Sequence, residues 1–173
     1  NEHRAEGLHD NERIEFLGDA VLELVATKHL YHACPDKDEG EMTSFRSALV
    51  KGKHLAEIAT SLGLGEYLFL SKGEEKSGGR EKDYILANTV EALIGAIYLD
   101  QGREAAEIFI ETFILVRLDE IIENGLHIDA KSSFQEIAQE KEDATPHYEI
   151  IKEEGPDHDK KFTMGAYINT ELI

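Results

Sequence analysis

Cysteine is almost missing from this chain, and the single one, Cys34, cannot close an internal disulfide. A lone thiol fits a reducing compartment, so the expected location is the cytoplasm. Long apolar runs are missing too. The most nearly apolar stretch, residues 92–99, falls far short of the ~20 residues a membrane-spanning helix needs, so no membrane partner is expected. The opening Asn1-Glu2-His3-Arg4 lacks the charged-then-apolar pattern of a secretory leader. Secreted, membrane and metal–thiolate classes are not expected on these grounds.

Basic residues are scarce: 18 Lys and Arg face 36 Asp and Glu, a formal net charge of −18 over 173 residues. Contact with phosphates needs cations, which argues at first against a nucleic-acid partner. An enzyme that cuts nucleic acid with divalent metals, however, needs clustered carboxylates, and these pull the average negative. The excess is spread along the chain, with 13 basic and 26 acidic residues in 1–129 and 5 and 10 in 130–173. A hydrophobic fraction of 41% is too high for a disordered acidic tail. The length suits one medium domain, or one domain plus part of a second.

Residues 1–123 read as helices, 124–129 as a linker, and 130–173 as a separate helix–strand–strand unit. Helices are expected over 12–31, 41–50, 53–61, 83–99 and 104–123, the first ending where Pro35 forbids its continuation. The polar, Gly-rich segment 71–82 reads as a mobile loop. In the tail, residues 130–140 form a helix with Phe134, Ile137 and Ala138 on one face. Strands follow at 148–151 and 162–168 around a turn at 154–158, and the chain stops where a third strand would begin.

With Glu12 as zero and 100° per residue, Glu15, Asp19 and Glu23 fall within about 60° of it, in one stripe. Ile14, Leu17, Val21, Leu24 and Val25 take the opposite side. A carboxylate stripe is most often a solvated face. Like charges at i,i+4 nevertheless oppose the helix, and a bound divalent cation would relieve them, with hard oxygen ligands suited to Mg²⁺. Phe16 lies on the acidic side, about 40° from Glu12. It is either an ordinary exposed apolar residue or a knob for another subunit. On the helix over 83–99, Asn88 and Glu91 share a face with the small residues Ala92 and Gly95, which would let a second backbone approach.

The run Asn11-Glu12-Arg13-Ile14-Glu15-Phe16-Leu17-Gly18-Asp19-Ala20-Val21-Leu22 closely resembles the signature motif of the ribonuclease III family. Further similarities follow in the family's order: Asp38-Glu39-Gly40-Glu41-Met42, the Gly73 to Gly79 loop, and Leu86-Ala87-Asn88-Thr89-Val90-Glu91-Ala92-Leu93. Residues 131–158 resemble the first half of a double-stranded-RNA-binding domain. The resemblance implies a mainly α fold, an all-helical endonuclease domain followed by a truncated α+β RNA-binding domain. It also implies a homodimer that cuts double-stranded RNA with Mg²⁺, or Mn²⁺ in its place, in rRNA and mRNA processing. The implied products carry 5′-phosphates, 3′-hydroxyls and two-nucleotide 3′ overhangs.

The same resemblance implies roles for residues. Glu15, Asp19, Asn88 and Glu91 would surround the metal, with Asp19 and Glu91 the least replaceable. Glu12 and Glu39 match additional acidic positions, and Phe16 would be the dimer knob. Gln135 and Glu136 would face one RNA minor groove, and the turn with Gly155, Pro156 and His158 the next. Residues 76–82 are a further candidate for phosphate contact.

Three departures from the family stand out. Position 88 is Asn where Asp is commonest, which removes one charge from the cage and keeps open a non-cleaving, ribonuclease III-like binder of structured RNA. Only eleven residues precede Glu12, where the family usually has about two helices. The tail lacks a third strand and a basic final helix. The expectation is an internal piece of a longer protein.

Overall fold

The computed structural model describes residues 10–128, 130–156, 160–169 and 171–173. The chain divides into two compact units, Asn1–His127 and Ile128–Ile173.

In the first unit, helix α1 spans Glu12–Ala33, α2 Glu39–Leu49, α3 Gly52–Ser61, α4 Lys72–Lys76, α5 Asp83–Gln101, α6 Arg103–Phe113 and α7 Leu118–Glu123. Helices α1 and α3 pack on α5, which runs through the centre and is itself rich in apolar residues. Leu22, Leu30, Phe45, Leu49, Leu55, Val90, Ile94, Ile110 and Ile114 are fully buried in one core. Each such side chain is worth about 1.5–3 kcal/mol relative to exposure.

Local chemistry sets the helix ends. Glu12 and Glu15 place acids in the first turn of α1, where the helix dipole favours them. Helix α2 begins two residues earlier than expected. The Asp38 carboxylate accepts from the Glu41 N–H while Glu41 accepts from the Asp38 N–H, a reciprocal cap that periodicity does not register.

Three first-unit expectations are corrected. Residues 104–123 are not one helix: α6 stops at Phe113, a 3-10 turn covers Leu115–Arg117, and α7 restarts at Leu118. The break lets Leu115 join Ile114, Leu118 and Ile121 in the core. Residues 71–82 are not an open loop either. Ser71 caps α4, Lys82 Nζ reaches Glu74 Oε1 at 2.5 Å, and Tyr84 donates to the same oxygen. Arg80 donates to the carbonyls of Gly65 and Leu68, both at 2.9 Å. Leu24, expected with the core, is 56% exposed, because the buried stripe of α1 runs through Gly18, Leu22, Ala26 and Leu30.

In the second unit, α8 spans Ala130–Glu142, followed by strands β1 His147–Glu154, β2 Lys161–Ile168 and β3 Glu171–Leu172 in an antiparallel sheet of order β1-β2-β3. The register pairs Tyr148 with Ala166 and shifts between Ile150 and Lys152. A short third strand is therefore present, contrary to expectation: Tyr167 pairs with Leu172. Ala138 is buried as expected, but Ile137 is exposed.

Candidate active site

Helices α1 and α5 touch backbone to backbone. A Cβ added to Gly18 would fall on the carbonyl oxygen of Glu91 and within 2.9 Å of the Gly95 N. One added to Gly95 would fall on the carbonyl oxygen of Ile14 and lie 3.1 Å from the Gly18 N. Two glycines thus replace two side-chain thicknesses at the crossing. The carboxylates that flank it, Glu15 and Asp19 on α1 and Glu91 on α5, are brought within range of one another.

The electrostatics show the consequence. Burial pushes the Glu91 carboxyl up to about 7, and the charges of Asp19 and Glu15 push the same way. Glu15 is also raised, first by burial, and then by Glu12 and Asp19. The side-chain amide of Asn88 opposes that rise by donating a hydrogen bond to the Glu15 carboxylate. Four of the proposed site residues, Glu15, Asp19, Asn88 and Glu91, therefore act on each other, and Glu12 couples to them through Glu15.

The fourth member of the α1 stripe behaves differently. Arg46 of α2 binds Glu23 at 3.0 Å and donates to Thr27 at 2.8 Å. No ion pair neutralises Glu12, Glu15, Asp19 or Glu91 among the described residues. The stripe is thus divided into a salt-bridged end and a set of unneutralised acids at the crossing.

Three carboxylates and one amide offer only hard oxygen donors, the set a divalent cation such as Mg²⁺ prefers. Burial does most to hold Glu91 near 7, and a dication would offset both that cost and the added repulsion from Asp19 and Glu15. Among the described residues, no three Asp, Glu, His or Cys side chains are gathered closely enough to clamp a metal as they stand. Mutual repulsion works against a tighter grouping, and the fourth position is the neutral Asn88. The chemistry fits a cation, and the side chains would close on it.

Comparison with known proteins gives the family. Residues 1–118 match the ribonuclease-III-like family, and residues 130–173 match the double-stranded RNA binding motif. This chain belongs to the ribonuclease III family. It is 44% identical over 172 residues to Ribonuclease 3 of Pelotomaculum thermopropionicum, covering 99% of this chain and 71% of that one. It is 46% identical over 173 residues to Ribonuclease 3 of Desulforamulus reducens, covering 100% and 70%. Among solved structures it resembles the nuclease domain of ribonuclease III from Campylobacter jejuni, at 46% identity and a TM-score of 0.58, over 64% of this chain and 73% of that one. It also resembles Dicer from Pichia stipitis, at 25% identity and a TM-score of 0.53, over 93% and 75%. As a ribonuclease III family member it is an endoribonuclease, and the family is metal-dependent.

The remaining candidate residues are placed as follows. Glu39 stands in the first turn of α2, accepting from the Thr43 hydroxyl at 3.2 Å, and is not among the groups acting on Glu15 or Glu91. Phe16 is 79% exposed on α1. Gln135 and Glu136 are exposed on α8 and line a shallow groove with Gln139 and Glu140. Gly155, at φ 96°, and Pro156 are exposed after β1, whereas His158 lies outside the described residues. Within 76–82, Arg80 and Lys82 are engaged internally, which leaves Lys76 as the cation turned outward. Sequence reasoning missed Gly18, although a glycine in the middle of a 22-residue helix was the available signal.

Proposed function

We propose that this ribonuclease III family chain hydrolyses double-stranded RNA as a homodimer, using Mg²⁺ with Mn²⁺ as a substitute. The observation that carries this reading is the coupling of Glu15, Asp19 and Glu91 across the Gly18–Gly95 crossing, with Glu91 held near 7. Bound there, two Mg²⁺ would supply the acidity that activates the attacking water and stabilises the leaving 3′ oxygen.

The chain's own residues do the holding. Asp19 and Glu91 come from different helices, so each can offer oxygens to a position between them. Asn88 keeps Glu15 turned toward that position through its amide hydrogen bond, while its carbonyl oxygen remains a donor to metal. Glu12 adds charge through Glu15, and Glu39 on α2 is an additional acidic residue. The ends formed would be 5′-phosphate and 3′-hydroxyl, and a two-fold pair of sites would leave two-nucleotide 3′ overhangs.

The second unit would carry duplex recognition. Gln135 and Glu136 on α8 and the Gly155–Pro156–His158 turn are the residues we assign to successive minor grooves, with A-form shape rather than sequence read out. Dimer formation is the subject of the Campylobacter jejuni nuclease-domain structure, and exposed Phe16 is the side chain we assign to it here. We place the protein in the cytoplasm, acting on rRNA and mRNA precursors.

The test is a gel of synthetic duplex RNA incubated with and without Mg²⁺, for the unaltered chain and for Glu91→Gln. Cleavage that needs the metal and disappears in the variant is the expected outcome. An uncut duplex at saturating Mg²⁺ would overturn the proposal.

A further inference from the structure

Most cations of the first unit are already spent on carboxylates. Arg46 holds Glu23, Lys82 holds Glu74, Arg117 holds Glu57 and Lys37 holds Glu41. Among the described residues of the first unit, four basic side chains have no hydrogen-bond or ion-pair partner: Arg13, Lys51, Lys53 and Lys76. In a chain of net charge −18, a polyanion can be met only where such cations stand.

Two of the four sit together. Lys51 immediately precedes α3 and Lys53 is its second residue, both exposed, with Gly52 between them. A Cβ on Gly52 would lie 3.9 Å from the Ala87 Cβ of α5, so this point of the chain rests directly on α5. Asn88 is the next residue after Ala87, and Glu91 is one helical turn on, about 6 Å along the axis. Lys76 has no comparable contact tying it to α5, and Arg13 stands on α1 beside Ile14, whose carbonyl meets Gly95, about 12 Å along α5 from Ala87. Lys51 and Lys53 therefore flank the stretch of α5 that carries Asn88 and Glu91, and neither is among the groups acting on Glu15 or Glu91.

We propose that Lys51 and Lys53 bind backbone phosphates of the RNA strand that lies at the Glu15–Glu91 cluster, next to the phosphate to be cut. The inference rests on the proposed reading of that cluster as the cleavage site. An acidic cluster repels a phosphodiester, and two unpaired ammonium groups beside it offset that repulsion and set the strand's position. Phosphate contacts of this kind orient a duplex without reading its sequence. Both lysines are point charges on flexible stems, suited to following a strand that shifts as the metal ligands close.

The test measures binding of a synthetic RNA duplex to the full chain in EDTA, where no cleavage occurs, as KCl is varied. Each lost phosphate contact should reduce the slope of log affinity against log salt by about 1, so Lys51→Ala/Lys53→Ala should flatten it by about 2. Lys37→Ala, which removes a cation already paired with Glu41, should leave the slope unchanged. Lys51→Arg/Lys53→Arg should restore it, and matching circular dichroism melts separate lost charge from lost fold. A double alanine variant with the unaltered chain's slope would overturn the inference while leaving the cleavage reading intact. An unaltered chain that does not bind the duplex overturns both.

Discussion

Gly18 of α1 and Gly95 of α5 face each other where the two helix backbones touch, and neither position has room for a methyl group. This contact sets the distance between the acids of α1 and those of α5. Gly18→Ala would drive its Cβ into the Glu91 carbonyl, and overpacking of this kind costs about 1–3 kcal/mol. We expect a lower urea midpoint and a cleavage rate reduced more than stability alone explains. Gly73→Ala on α4, where the nearest atom lies 4.0 Å away, is the control and should leave both unchanged. An unaltered midpoint in Gly18→Ala would refute the close crossing.

Asp19→Asn and Glu91→Gln should each abolish cleavage while leaving duplex affinity within a few-fold. On the proposed reading each removes an oxygen ligand of the metal, whereas affinity comes mainly from phosphate and 2′-hydroxyl contacts elsewhere. Single-turnover rates at saturating Mg²⁺ decide the matter. A variant retaining most of its rate removes that residue from the site.

Asn88→Asp acts in two opposed ways. It adds a charge that attracts the cation, and it deletes the amide donor that restrains the rise of the Glu15 carboxyl. The metal-free protein should melt lower, and the Mg²⁺ concentration for half-maximal cleavage should fall. Maximal rate should change little, because on the proposed reading the amide oxygen completes the ligand set once metal saturates. Unchanged Mg²⁺ dependence would mean that residue 88 faces away from the metal.

Phe16→Ala should weaken self-association. A buried ring lost from an interface costs roughly 3–5 kcal/mol, and a two-fold interface loses it twice. In the single chain the ring is 79% exposed, so its removal should hardly alter monomer stability. Sedimentation at low concentration should show monomer where the unaltered chain is dimeric. An undiminished dimer would return Phe16 to the ordinary surface.

Stability of the metal-free first unit should depend on pH, with Glu91 and His54 contributing in opposite directions. Glu91 is raised from an ordinary 4.5 to about 7, so between those values the unfolded chain releases a proton that the folded chain keeps. That contribution is fully present below 4.5 and lost as pH rises through 7. His54 is buried and pushed down from 6.5, chiefly by burial, while its Nδ1 lies 2.7 Å from the Leu49 carbonyl. Its contribution is present above 6.5 and lost as pH falls. Urea titrations between pH 4.5 and 8 should show Glu91→Gln more stable than the parent at pH 8 and equal to it near 4.5. The same advantage at every pH would mean that the Glu91 carboxyl titrates normally.

Much of the architecture was legible in the sequence because helical periodicity is local. The bounds of α1, α3 and α5 follow to within two residues from apolar spacing and, for α1, Pro35. Where the expectation failed, a nonlocal partner was responsible. The 104–123 helix breaks so that Leu115 can enter the core, and the glycine-rich 71–82 segment is drawn into order by Glu74, Lys82 and Arg80. The edge strand β3 forms because β2 supplies its hydrogen bonds. Composition carries no record of such partners.

The sequence alone determined which residues could form a site: the stripe on α1, the Asn88–Glu91 pair, the misplaced Phe16 and the family motif that joins them. Helical spacing could not distinguish Glu23 from Glu15 or Asp19, since all three share one face; the family motif left Glu23 out, and the tertiary structure supplies the physical reason. Arg46, from another helix, neutralises Glu23, while the Gly18–Gly95 crossing brings Glu91 against Asp19 and Glu15. Charge interaction depends on distance through space and on burial, and both are set by which helices pack together rather than by position along the chain.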